Sequence, residues 1–370
     1  MTIGVVGGGQ LGRMLALAGY PLGLEFLFLD PARDSPAGQI APCLSGALDD
    51  RNLLRRLAER CEVLTFDWEN VPASSLAGLS RATRIAPPPR ALKDSQDRLL
   101  EKKLFDRLGI PTTRYAAVDS RADLLRAIQR IGLPGVLKTR RLGYDGKGQA
   151  VLRSAADVDR AGATIGAPSL YEEWVPFDFE VSILGARARR GEVVVYPLNG
   201  NVHVDGILRL TRAPFGTTGL QRRADAHLRR MLDYFRYVGV LNIEFFVRNG
   251  RLIANETAPR VHNSGHWTIE GAKTSQFENH LRAICGLPLG PTAARGHCAM
   301  INLIGNLPDT ATLLAIPGAH LHDYGKRARP NRKLGHCTVV EASAMLRDRR
   351  ARQVLNLVAP DVRISFRGAG

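Results

Sequence analysis

The chain opens on TIGVVGGGQLGRMLALAG, an apolar run that enters three consecutive glycines and leaves as a helix-like pattern. A strand that must turn at glycines into a helix is the start of a βαβ unit, and this constrains the amino-terminal part more than any other feature. EFLFLD reads as the next strand, DDRNLLRRLAERC as a helix and VLTFDWENV as a third strand. The succession βαβαβ predicts a parallel, doubly wound sheet, and IAPPPRAL breaks the pattern as a boundary would. Gly7, Gly9 and Gly12 fit G-x-G-x-x-G, with Asp30 about 20 residues further on. Glycines there allow a tight turn and let an anion approach backbone N–H groups. That chemistry suits any phosphate, so the turn by itself leaves dinucleotide binding open.

The chain has 370 residues and a net charge of +16, enough length for two or three domains and enough charge to favour anionic partners. The arginines are spread along the chain, in RRLAER, ARARR and RDRRAR, without interleaved aromatics. A solvated arginine bias is therefore expected over dedicated nucleic-acid binding. Cys43, Cys61, Cys285, Cys298 and Cys337 are odd in number and contain no C-x-x-C, so neither a disulfide framework nor a zinc site is expected. No apolar run reaches about 18 residues, and the first residues lack the basic region of a secretory signal. Together these predict a cytoplasmic protein that does not use the membrane.

KDSQDRLLEKKLFDRLGIPT carries an apolar helical stripe at Leu99, Leu100, Leu104, Phe105 and Leu108, with Asp94 or Ser95 as the expected cap and Gly109–Pro111 as the stop. GYDGKGQ, Gly143 to Gln149, places Gly143, Gly146 and Gly148 around Lys147, a composition suited to a lid over phosphates. Its spacing is not that of a Walker A loop. Lys138 precedes it at the end of an apolar run, where a lysine reaches a phosphoryl oxygen as a point charge. In YEEWVPFDFEVS, exposed strand-edge backbone at Glu172, Glu173, Trp174 and Val175 is suited to an adenine ring. Glu180 is suited to ribose hydroxyls, and a hinge is the alternative.

GVLNIEFFV and RLIANET flank Arg248-Asn249-Gly250, a strong hairpin signal. Glu244 within the first run and Glu256 at the end of the second suit a hard cation that bridges nucleotide phosphates. A strict two-residue turn would set Glu244 opposite Asn255, with Glu256 on the other side. Shared metal ligation therefore predicts a three-residue loop or a bulge that pairs 244 with 256. NETAPRVHNSGHWT follows, with Arg260, His262, Asn263 and His266 dense enough to hold a planar anion and handle a proton. KRARPNRKLGH gathers basic groups around Pro330, which would close on a phosphate.

Taken in order, GGGQLGRM, DWENVP, QDRLLEKKLFDRLGIPT, GYDGKGQ, HVDGILR, NETAPRVHNSGHWT with SQFENHLRAI, and RPNRKLGH resemble the ATP-grasp superfamily. Within it they resemble the N5-carboxyaminoimidazole ribonucleotide synthetase family. The resemblance spans nearly the whole chain, and APRVHNSGHWT is its most telling segment. It implies an α/β chain of three domains. These are an N-terminal Rossmann-like parallel sheet (1–92), a central two-lobed ATP-grasp α+β domain (93–290, small lobe about 113–180) and a small C-terminal domain (291–370). It implies a ligase of purine biosynthesis that joins bicarbonate to 5-aminoimidazole ribonucleotide at the expense of ATP, through carboxyphosphate. The implied cofactors are ATP and Mg²⁺, the implied partners are these small molecules and a second copy of the chain, with neither nucleic acid nor membrane.

By the same resemblance, Glu244 and Glu256 hold the metal. Lys102 and Lys138 face phosphate. Glu172, Glu173, Trp174, Val175, Glu180, His203 and Asn255 belong to the nucleotide site, with the glycines of the lid and Gln149. Tyr144, Asp145 and Lys147 meet the aminoimidazole. Arg260 and His262 hold bicarbonate or carboxyphosphate. Gly9, Gln10, Leu11, Glu69, Asn263, Lys326, Arg332 and Lys333 bind the ribonucleotide, so the glycine turn serves an acceptor substrate instead of NAD. Three positions depart from the family's usual residues: Asp67 where Glu is usual, Lys147 where Arg is common and Asn331 where Gly is common. A formate-using ligase of the same fold is the nearest rival, and a silent binding protein or an NAD-dependent oxidoreductase are rivals of other classes.

Overall fold

The computed structural model describes residues 1–79, 82–143, 148–164 and 167–360. Residues 144–147, which include the expected site residues Tyr144, Asp145, Gly146 and Lys147, lie outside the described residues.

The first sheet is parallel throughout, in the order Cys43–Ser45, Glu25–Asp30, Thr2–Val6, Val63–Phe66, Arg84–Ile85. Its central strand is almost wholly apolar because helices cover both faces, as parallel sheets require. The two outermost strands are very short, which is why the alternation of apolar runs predicts only the inner three. Asp50 starts the helix Arg51–Arg60 by accepting from the backbone N–H groups of Asn52 and Leu53.

The expected helix after the boundary is two helices, Pro89–Ser95 and Arg98–Arg107. Asp94 and Ser95 belong to the first, and Asp97 caps the second through the Leu99 amide. Asp97 is also gripped by Arg140 at 2.9 and 2.6 Å, and this ion pair with an arginine just beyond the distant strand Gly135–Thr139 holds it at the cap.

A small antiparallel sheet follows, in the order Tyr115–Val118, Ser169–Glu173, Gly135–Thr139, Gln149–Leu152. The helix Arg121–Ile131, capped by Ser120, and the helix Ala155–Thr164 cover it. The remaining strands form one large antiparallel sheet. The carboxy-terminal segment does not make a sheet of its own. Its strand His297–Ile304 pairs with Ile207–Ala213 and extends the central sheet through Lys333–Glu341 and Ala319–Asp323. Leu15 of the helix Gln10–Gly19 and Phe28 of the first sheet share a buried cluster with Leu184, Trp267, Phe277 and Met300, so one core fixes the three segments together. No helix among the described residues is long and apolar enough to cross a membrane.

Candidate active site

The segments that follow strands Thr2–Val6 and Val63–Phe66 of the first sheet, together with residues of the other two sheets, line a cleft of about 1020 Å³. On its floor, the strands Gly239–Arg248 and Arg251–Ala258 form the expected hairpin. Asn249 and Gly250 both have positive φ, 48° and 70°, which makes the tight two-residue turn. The register then shifts: Phe245 pairs with Ala254, but Glu244 pairs with Glu256, leaving Asn255 as the extra residue of a bulge. The bulge turns both carboxylates toward the cleft, which each of them lines. Glu256 is held by Arg98 at 3.2 Å. Burial opposes its ionisation, but Arg98 and Lys138 outweigh burial and keep it below the usual carboxylate range. Among the described residues Glu244 has no lysine or arginine partner; its ion-pair contact is the His262 imidazole at 3.6 Å. Burial, with Glu256 and Glu180 nearby, pushes Glu244 up to about 8 against the pull of His203.

His203 sits 2.9 Å from Glu180, and both line the cleft. Burial works against a charge on His203, but Glu180 and the hairpin carboxylates raise it to about 9. Glu172 is 2 % exposed and lies between two lysines, Lys102 at 3.1 Å and Lys138 at 3.1 Å, with Thr113 donating at 2.9 Å. Burial disfavours its charge, yet the two lysines hold it well below the ordinary range. Lys138 lines the cleft, and burial draws its ammonium down while Glu172 opposes.

Lys102 is different from the expectation. It is 1 % exposed, and its ammonium also donates to Thr112 and to the carbonyls of Ala254 and Asn255. It braces the floor from behind and does not line the cleft. The strand-edge reading of Glu172 and Glu173 also needs correction. Their strand is central in the small sheet, paired on both sides, so the ladder occupies their backbone. Glu173, Trp174 and Val175 line the cleft, and the backbone leaves the ladder only beyond Glu173. Gly143 and Gln149 line the cleft; Gly148 does not, and instead its carbonyl receives the Thr139 amide at 2.7 Å.

The glycine turn is built around a protein carboxylate. Asp67 accepts from the Gly12 amide at 3.1 Å, and a Cβ on Gly7 would stand 1.8 Å from Asp67 Oδ1. Gly7 also has φ +101°. The room that the glycines make is therefore filled by Asp67, where a pyrophosphate would have to approach. Burial raises Asp67 to about 6. Asp30 is equally occupied, accepting from the amides of Gly8 at 2.8 Å and Ala32 at 2.9 Å. Neither carboxylate is free for a ribose. Gly7→Ala is expected to lower stability by about 2–4 kcal/mol, from backbone strain plus the clash. Thermal unfolding checks this, with Asp67→Ala in the same chain restoring part of the loss.

Gly9, Gln10, Leu11 and Glu69 line the same cleft, as do Arg260, His262, Asn263, Lys326, Arg332, Lys333 and Asn255. Arg260 grips Glu69 through two guanidinium nitrogens, and Lys326 donates to Gln10. The opposite ends of the sequence thus meet across the cleft. Asn331 takes φ 59°, a conformation in which glycine is easiest and asparagine the next best substitute. That accounts for one of the three departures.

The sequence reading passed over Arg98 and Glu101. Arg98 binds Glu256 and donates to the Gly143 carbonyl at 3.4 Å, joining the hairpin floor to the end of the segment that precedes residue 144. Glu101 accepts from the Thr257 amide and hydroxyl at 2.6 and 2.8 Å, and burial beside Glu256 raises it to about 7. Both lie on the helix whose apolar stripe drew attention. The available signal was the charged residues that fall between stripe positions.

The comparisons agree over most of the chain. Family models match residues 1–96 (ribonucleotide synthetase preATP-grasp domain), 103–277 (ATP-grasp domain) and 298–350 (phosphoribosylaminoimidazole carboxylase C-terminal domain). The N5-carboxyaminoimidazole ribonucleotide synthase of Pseudomonas aeruginosa is 53% identical over 340 residues, 92% of this chain and 94% of that protein. The crystal structure of the synthetase from Thermus thermophilus superposes with a TM-score of 0.93 at 49% identity, covering 96% of this chain and 98% of that one. The enzyme from Aspergillus clavatus, solved with ADP and 5-aminoimidazole ribonucleotide, gives 0.91 at 31%, covering 97% and 98%. The chain belongs to the N5-carboxyaminoimidazole ribonucleotide synthase family of ATP-grasp proteins.

Proposed function

We propose that this protein carboxylates the amine of 5-aminoimidazole ribonucleotide with bicarbonate and ATP, releasing ADP and phosphate, as a cytoplasmic homodimer in purine biosynthesis. The observation that carries the reading is the bulge that pairs Glu244 with Glu256 at the bottom of a cleft also lined by Arg260, His262 and the Lys326–Lys333 segment.

The carboxylate pair fits a divalent cation. Glu244 is buried and, without a cation, pushed up to about 8, which is the signature of an acceptor that lacks its positive partner. Two protein carboxylates also suit Mg²⁺, which keeps most of its other positions for water and phosphate oxygens. When bound there, Mg²⁺ neutralises charge on the nucleotide phosphates. The chain's own residues do the rest. Lys138 offers a point charge to phosphate oxygens, held in place by Glu172. Arg260, fixed by Glu69, presents a guanidinium to bicarbonate or to the carboxyphosphate formed when bicarbonate oxygen attacks the γ-phosphorus and ADP leaves. Gln10, Lys326, Arg332 and Lys333 hold the ribonucleotide so that its amine reaches the carboxyl carbon, and phosphate departs. The lid 143–149 excludes water that would hydrolyse the mixed anhydride.

Metal affinity follows from the direction of the Glu244 shift. The cation needs the carboxylate, so binding displaces a proton that the free protein holds below about pH 8. MgATP affinity is expected to rise as pH rises toward about 8, with net proton release at pH 7. Titration calorimetry in buffers of different ionisation enthalpy reads this, and in Glu244→Gln the release disappears.

The carboxylation itself is tested by carbon NMR with ¹³C-bicarbonate. A carbamate carbon that needs ATP, Mg²⁺ and the aminoimidazole is the expected product. A formylated product from formate, with none from bicarbonate, would replace this reading with the rival ligase. Sedimentation checks the dimer.

A further inference from the structure

His262 borders the cleft, yet its ring is held from behind by Ser264, which does not line the cleft. The backbone amide of Ser264 donates to His262 Nδ1 at 3.3 Å, so the imidazole itself caps the short turn Asn263–Gly265. A backbone N–H can only donate, so Nδ1 must carry a lone pair. The Ser264 hydroxyl lies 2.9 Å from the same nitrogen, and its own environment decides its direction. Ser182 donates to Ser264 Oγ at 2.8 Å. Ser182 in turn receives two N–H donors, from Asn199 at 2.7 Å and Asn201 at 2.9 Å. With two donors received, its one proton goes to Ser264, and Ser264 sends its proton on to His262 Nδ1. Thr211 closes the row by donating to the Asn201 oxygen at 3.0 Å. All five of these polar side chains are buried.

We propose that Ser264 and Ser182 are positioning residues that lock His262 as the neutral imidazole with its proton on Nε2. Nε2 faces the cleft, 3.6 Å from Glu244 Oε1. His262 then presents an uncharged N–H donor to the reacting anion and does not act as a base. The surroundings agree: Arg260 and Lys333 border the same cleft, and Glu244 is the acidic group on the facing strand. A neutral donor at this place stabilises developing oxygen charge without protonating bicarbonate or the amine, whose lone pair must stay free. The lock also fixes the plane of the ring, since the hydrogen bonds at Nδ1 set its rotation. This last role rests on the carboxylase reading; the tautomer does not.

The test is a nitrogen–proton correlation spectrum of the full chain labelled with ¹⁵N-histidine, which separates the two neutral tautomers and the imidazolium. The chain has 9 histidines, and the His262 signals are those lost in His262→Asn. The expected result is a protonated Nε2 and an unprotonated Nδ1 from about pH 6 upward. A protonated Nδ1, or an imidazolium at pH 7, would overturn the proposal whatever the enzyme turns out to carboxylate. In Ser264→Ala and Ser182→Ala the 3.3 Å backbone contact still favours a proton on Nε2, so that tautomer is expected to stay the major form while a minor form protonated on Nδ1 becomes detectable. Their kcat is expected to fall about ten- to a hundredfold with KM for ATP nearly unchanged. Unaltered His262 signals in both folded variants would also contradict it. A correct tautomer in a chain that fails to carboxylate the aminoimidazole would instead leave the lock standing and remove the assigned substrate.

Discussion

Glu256→Gln is expected to lower kcat by about 10²–10³-fold while the protein folds normally. The substitution keeps the shape and removes one negative charge from the hairpin floor. Two effects follow at once. The cation loses a ligand, and Arg98, which Glu256 holds at 3.2 Å, loses the partner that aims it. Glu244→Gln is expected to be as severe in kcat but different in its pH dependence. Glu244 is the carboxylate pushed upward, so its removal abolishes the proton release on MgATP binding, whereas Glu256→Gln retains it. Steady-state kinetics with calorimetry separates the two. Equal pH profiles for both variants would contradict the upward shift of Glu244.

Glu172→Gln is expected to cost about 3–5 kcal/mol of stability, because it strands two buried ammonium groups. Glu172 is 2 % exposed and takes both Lys102 and Lys138 at 3.1 Å. Lys102→Met should cost less, since Glu172 keeps Lys138, and combined with Glu172→Gln it should recover part of the loss. Chemical unfolding of the three variants measures this. The contrast also tests the placement of Lys102. If Lys102 braces the floor, Lys102→Met acts mainly on stability, whereas Lys138→Met acts mainly on kcat because Lys138 borders the cleft.

The sequence made some of this legible and hid the rest for physical reasons. Glycine turns, apolar runs and the Asn249-Gly250 hairpin are local signals, and the parallel first sheet and the hairpin follow from them. The bulge at Asn255 was legible because two carboxylates in adjacent strands must share a face to share a cation, which excludes the simple register. By contrast, the helix cap at Asp97 depends on Arg140, and the filling of the glycine turn depends on Asp67. Both partners are distant in sequence, and no local pattern announces them. Lys102 was misplaced for a similar reason. A lysine in a motif reads the same whether its ammonium meets a ligand or a buried glutamate. The central position of the strand Ser169–Glu173 also depends on strand order, which apolar spacing does not encode. The joining of the third segment to the central sheet is hidden in the same way.

ADP release measured with Mg²⁺, ATP and bicarbonate, with and without 5-aminoimidazole ribonucleotide, tests the central claim most directly. Strong stimulation by the ribonucleotide that requires bicarbonate, and that is lost in Glu256→Gln, is the predicted result. A rate indifferent to the ribonucleotide in folded protein would contradict the assignment of the acceptor.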